Sequence, residues 1–131
     1  GGVDCGNQDG YLKTIKVYNL EDNAWSDISD VRLSIDRSQA HAITMNNGNI
    51  IIITGKRSGN NKPDDFVIFN PNTNKLNEYS NALIEGVQEA PIGLVNIDDM
   101  LGIIIVSGDQ SAYPTNYTQY IFIDDSGTGS T

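Results

Sequence analysis

"YNLEDNAW" (18–25) and "FNPNTNKL" (69–76) follow one plan: an aromatic residue, an asparagine, a polar turn, and a large apolar residue seven positions after the aromatic. Each is entered through a short β-branched and aromatic run, "KTIKVYNL" (13–20) and "DFVIFN" (65–70). Such a run, a cluster of turn-forming residues and a second apolar position read as two strands joined by a tight turn. Upstream of these hairpins stand apolar runs closed by glycine, "NIIIITG" (49–55) and "LGIIIVSG" (101–108). Gly2, Gly55 and Gly108 are spaced by 53 residues each. Trp25 to Arg37 is twelve residues and Leu76 to Gln88 is twelve, so Gln88 is expected to take the place of Arg37 in a second unit. A third pass begins after Gly108 with "TQYIFID" (118–124). Matching offsets across this many landmarks are the signature of a structural repeat.

The remaining strand signals are "AHAITM" (40–45) and "IGLVNI" (92–97), separated from their partners by "NNGN" and "IDD". Short strands punctuated this regularly predict an all-β protein, a sandwich, barrel or propeller. One segment competes. Over 74–90 the apolar residues Leu76, Tyr79, Leu83 and Val87 recur at three and four positions, a helical period, with Ser80 able to cap a short helix and Gly86 able to end it.

The landmarks together resemble the kelch repeat. In that family a unit runs from an arginine to a strand ending in Gly-Gly, then to a strand carrying a Tyr-Asp-like pair with a tryptophan seven residues on. Here the matching residues are Gly1-Gly2, Tyr18-Asn19, Trp25 and Arg37 in the first pass. In the second they are Gly55, Phe69, Leu76 and Gln88, and in the third Gly108 with "FID" (122–124). The resemblance implies a kelch-type β-propeller fragment of four-stranded antiparallel blades. Residues 1–36 would end one blade, 37–80 form a complete one, 88–125 form most of a third, and 126–131 make a Ser/Thr/Gly-rich linker. It also implies that Tyr18 and Trp25 fill the wedge between blades. About two and a half blades fall short of the roughly four to eight that close a ring. The expectation is therefore that further blades or other chains complete the structure, in keeping with an opening at Gly1-Gly2 that reads as a fragment.

In such a blade the turns between strands 1 and 2 and between strands 3 and 4 share one face, and here they are tight. The loops between strands 2 and 3 (55–65 and 108–119) and those joining strand 4 to the next strand 1 (29–38 and 81–90) share the other, and they are long. Long loops on a rigid scaffold are the usual seat of recognition. Lys56, Arg57, Tyr113 and Tyr117 are the candidate partner-binding residues, because arginine and tyrosine are enriched at interfaces. The family's usual role, a protein-interaction scaffold, is what the resemblance implies. A noncatalytic piece of a copper radical oxidase-like propeller and a structural component of a surface assembly are the alternatives.

The chemistry is read largely by exclusion, and no catalytic, cofactor or metal residue is expected. The run into Gly55-Lys56 begins like a phosphate-binding loop, but six residues rather than four separate Gly48 from Gly55, and Arg57 rather than Ser or Thr follows the lysine. His41 is the one histidine and Cys5 the one cysteine. A usual zinc site, a catalytic triad, which would have to use His41 inside a probable strand, and an internal disulfide are thereby set aside, and His41 is expected to be a packed or partly buried strand residue. A net charge of −9 argues against nucleic acid as a partner, and no apolar run is long enough for direct membrane insertion. "NYT" (116–118) makes Asn116 a possible N-glycosylation acceptor, which with the Ser/Thr tail leans toward a secreted or cell-surface location.

Overall fold

The computed structural model describes residues 2–3, 10–110, 113–123 and 129–130. Cys5 and most of the 126–131 tail lie outside the described residues. The chain is all-β. Among the described residues the strands are β1 (Gly2–Val3), β2 (Tyr11–Leu12), β3 (Thr14–Asn19), β4 (Ala24–Arg32), β5 (His41–Thr44), β6 (Ile50–Ile53) and β7 (Phe66–Asn70), then β8 (Lys75–Tyr79), β9 (Ile92–Ile97), β10 (Met100–Val106), β11 (Asp109–Gln110), β12 (Tyr113–Pro114), β13 (Thr118–Ile123) and β14 (Gly129–Ser130).

Three antiparallel sheets follow one another along the chain. The first pairs β3 with β4, the second is the meander β5-β6-β7-β8, and the third runs β9-β10-β13-β14. Small two-stranded pairs, β1-β2 and β11-β12, sit in the connections. The two hairpins singled out in the sequence form with matching registers: Tyr18 lies opposite Trp25, and Phe69 opposite Leu76. Their turns are built alike. The Asn19 side-chain oxygen accepts from the backbone N–H groups of Glu21 (2.8 Å) and Asp22 (3.4 Å), and Asn70 accepts from Asn72 (2.9 Å) and Thr73 (3.2 Å). Asn23 and Asn74 then take positive φ (49° and 54°), a conformation asparagine tolerates. The recurring asparagines are thus turn chemistry.

Residues directly opposite in an antiparallel pair share a face, and alternate residues face opposite ways. The second sheet therefore has a front face, toward the third sheet, carrying Ile51, Ile53, Phe66 and Ile68, and a back face, toward the first, carrying Val67 and Phe69. Both are buried, which explains the unbroken apolar runs of β6 and β7. The main core lies between the front face and Ile103, Ile105, Ile121 and Ile123 of the third sheet. Tyr79 stacks on Phe66 within it, ring centroids 4.7 Å apart.

Three expectations are revised. The helical period over 74–90 forms no helix: β8 is held by pairing with β7, and Leu83 and Val87 are buried from a loop. The connection expected over 29–38 starts later, because β4 runs to Arg32, opposite Thr14 past a register irregularity at Thr14/Lys16. Tyr18 and Trp25, expected to fill a wedge between units, pack on each other (centroids 5.1 Å) on the back face of the first sheet, where Trp25 is 69% exposed. Finally, Arg37 and Val87 are the equivalent residues, since their carbonyls accept from Gly2 N (2.9 Å) and Gly55 N (2.8 Å). Gln88 matches Ser38 instead: Ser38 bridges Lys56 and Gln88 bridges Asp109. Counting a fixed twelve residues misplaces the arginine by one, because the connection before it differs in length between units.

Candidate functional site

The long connections interlock into one layer. The segment before β5 meets the start of the β6–β7 loop through reciprocal Ser38 and Lys56 backbone bonds of 2.9 and 2.8 Å. The segment before β9 lies on the same β6–β7 loop, where Ala82 N and Leu83 N donate to Asp64 O at 2.9 and 2.8 Å. Gly86 is required there because a Cβ would stand 2.3 Å from Lys62 O. That segment is also clamped to the third sheet: Gln119 accepts from Glu85 N at 3.1 Å and donates to Glu85 O at 2.8 Å.

Under this layer lies a buried ion pair. Arg37, 1% exposed, donates to Asp65 Oδ2 at 2.6 Å and to Thr54 O at 2.9 Å. Thr54 stands at φ +63°, uncommon for a β-branched residue, just before Gly55. One guanidinium thus ties the turned end of β6 to the residue that opens β7. Asp65 carries no signal of its own in the sequence, because "KPDD" reads as loop; its pairing with Arg37 is a product of the tertiary fold.

Asp36 organises the neighbouring surface, accepting from Ser58 N (3.0 Å) and the Ser58 hydroxyl (2.5 Å). Burial raises its pKa, but the bonds from Ser58, its own backbone and the charge of Lys13 outweigh this and hold the carboxyl below its ordinary 3.8. A carboxylate with a depressed folded pKa contributes stability that is present above the unfolded value and lost as pH falls through the folded one. Asp36→Asn is expected to be less stable than wild type at neutral pH and to converge on it below about pH 4. Urea midpoints of the two proteins across this range check it, and a gap that stays constant in acid counts against the assignment.

The predicted contact residues fall into two groups. Tyr113, Asn116 and Tyr117 are exposed, Tyr113 at 80%. Their loop is pinned at its base: Ser107 N donates to Tyr117 O (3.1 Å), Thr115 N to Gly108 O (2.8 Å), and the Ser107 hydroxyl to Thr115 O (2.5 Å). Lys56 and Arg57 are half-buried, and Lys56 serves the backbone bridge to Ser38. The tyrosines belong to the β10–β13 connection and the cations to the β6–β7 connection.

Sequence reading missed two features of this region. Gln39 and Glu89, repeat-equivalent residues with φ of +51° and +53°, hydrogen-bond to each other through their side chains. A cavity of about 270 Å³ lies between the first and second sheets, bordered by Ile15, Leu33, Arg37, His41, Ala42 and Ile52. His41, expected to be a partly buried strand residue, is half-buried at its edge. Neither feature has a sequence signal, since each joins segments distant along the chain. No known family model matches the chain, and no curated protein matches it.

Proposed function

We propose that the chain is part of a kelch-type β-propeller acting as a protein-interaction scaffold, with its interlocked long loops as the binding face. The supporting observation is the β10–β13 connection: exposed tyrosines, rigid amphipathic groups suited to an interface, stand on a loop fixed at its base by three hydrogen bonds. A prepinned loop forfeits little conformational entropy on binding. The repeated units behind it form the scaffold, each the counterpart of one blade, and they carry no catalytic constellation in this reading. The partner is a protein that buries Tyr113 and Tyr117 and, secondarily, offers acidic groups to Lys56 and Arg57.

The test is capture by the immobilised chain of proteins from its own source, compared across variants. Tyr113→Ala with Tyr117→Ala is expected to lose the captured partner, with affinity falling at least about tenfold per hot-spot side chain. Lys56→Ala with Arg57→Ala should weaken it less, and Trp25→Ala on the first sheet should leave it unchanged. Retention by the tyrosine variant at wild-type affinity would sink the assignment of this face.

A further inference from the structure

The second sheet is mated on both sides, so its two contacts show how one unit of this repeat receives the next. The front face of one sheet packs on the back face of its successor. Within this chain the corresponding faces of the first and third sheets are exposed. Val106 stands 53 residues after Ile53, in the same place before a positive-φ residue and a glycine. Ile53 is fully buried against the third sheet, whereas Val106 is 44% exposed. Ile97 and Met100, directly opposite each other on that front face, are 47% and 49% exposed. On the first sheet Tyr18 and Trp25 occupy the positions of Phe69 and Leu76; Phe69 is 3% exposed and Tyr18 is 39% exposed.

We propose that the chain self-associates head to tail, the front face of the third sheet of one copy seating on the back face of the first sheet of a second copy. The occupant is a second copy because each bare face is the repeat equivalent of a face already mated inside the chain. The open pair therefore reproduces an association this sequence already makes. Charge agrees. Among the described residues the front face carries Val95, Ile97, Met100, Ile104, Val106 and Phe122, and the strand positions that share it hold no charged side chain. On the opposing hairpin face Lys16 and Asp27 stand 3.5 Å apart and neutralise each other beside Tyr18 and Trp25, and Arg32, opposite Thr14, lies on the same face farther from them. Contact between unlike faces is heterologous, and it ends in a ring when the rotation closes. Two copies of three sheets fall within the roughly four to eight that closed radial arrays contain. This inference rests on the sheet packing and is independent of the binding face proposed above.

Analytical ultracentrifugation of the whole 131-residue chain tests it. The expected particle has twice the 14.2 kDa chain mass. Trp25→Asp and Val106→Asp, on opposite ends of the stack, should each halve that mass while keeping cooperative thermal unfolding. Tyr18→Lys and Met100→Lys repeat the comparison with the opposite charge, so that a folding failure of one variant does not decide the outcome. A wild-type monomer up to a tenth-millimolar concentration overturns the proposal. Loss of the dimer in the first-sheet variants alone also overturns it, because that result describes two like faces meeting.

Discussion

Arg37→Met alone, or Asp65→Leu alone, is expected to cost about 3–5 kcal/mol, while the two together cost far less. Arg37 is 1% exposed and Asp65 4% exposed, so removing either partner strands a charge where water cannot reach it. The arginine variant also releases Thr54 O, held at 2.9 Å, from a residue whose φ of +63° is already unfavourable. With both charges gone the remaining cost is chiefly that carbonyl's lost donor, about 1 kcal/mol. The third unit supplies a precedent, because the residue equivalent to Arg37 there is Val87, fully buried and apolar. Against a usual total of roughly 5–15 kcal/mol, either single change takes a large share of the stability. A double-mutant cycle in urea measures the coupling. A double variant no more stable than the weaker single would show that the pair acts only as packing.

The fold was legible where local chemistry and long-range packing agree. Asn19 and Asn70 cap equivalent turns, Gly55 and Gly108 close equivalent strands, and the isoleucine runs of β6 and β10 lie where the sheets stack. Those signals survive in one sequence because each is a property of a short segment. The errors share a cause of the opposite kind. The exposure of Trp25 could not be read from its size, because it depends on which sheet face the hairpin shares with Lys16, Asp27 and Tyr18. Gln88 reads as the arginine's counterpart because spacing was counted through a loop, and loops change length without changing the fold. Of the candidate binding residues, Tyr113 and Tyr117 were legible as exposed loop aromatics. Lys56 and Arg57 were not legible as half-buried, since their burial is a product of the tertiary fold, in which Lys56 bridges Ser38, eighteen residues earlier in the chain.

Gly55→Ala is expected to destabilise the protein by about 3–5 kcal/mol, combining a conformational and a steric cost. Gly55 stands at φ +108°, and a Cβ there would lie 2.7 Å from Ser38 O and 3.1 Å from Ala40. Its N–H also donates to Val87 O at 2.8 Å, so any backbone shift that relieves the overlap loosens the junction between the second and third units. Gly48→Ala isolates the conformational part: φ is +85° and nothing lies within 4 Å of the added carbon, so about 1 kcal/mol is expected. Gly108 completes the comparison. Its φ is +117°, but the atoms an added Cβ would meet are side-chain carbons, Ala90 Cβ at 2.8 Å and Val87 Cβ at 2.9 Å. Adding Ala90→Gly to Gly108→Ala removes one of those atoms, whereas adding Ala40→Gly to Gly55→Ala leaves the Ser38 carbonyl in place. Rescue should therefore be larger at Gly108 than at Gly55, read as urea midpoints of the four variants. Equal rescue at both positions would mean that the backbone around Ser38 yields as readily as a side chain, and the strand-end glycines would then be required by conformation alone.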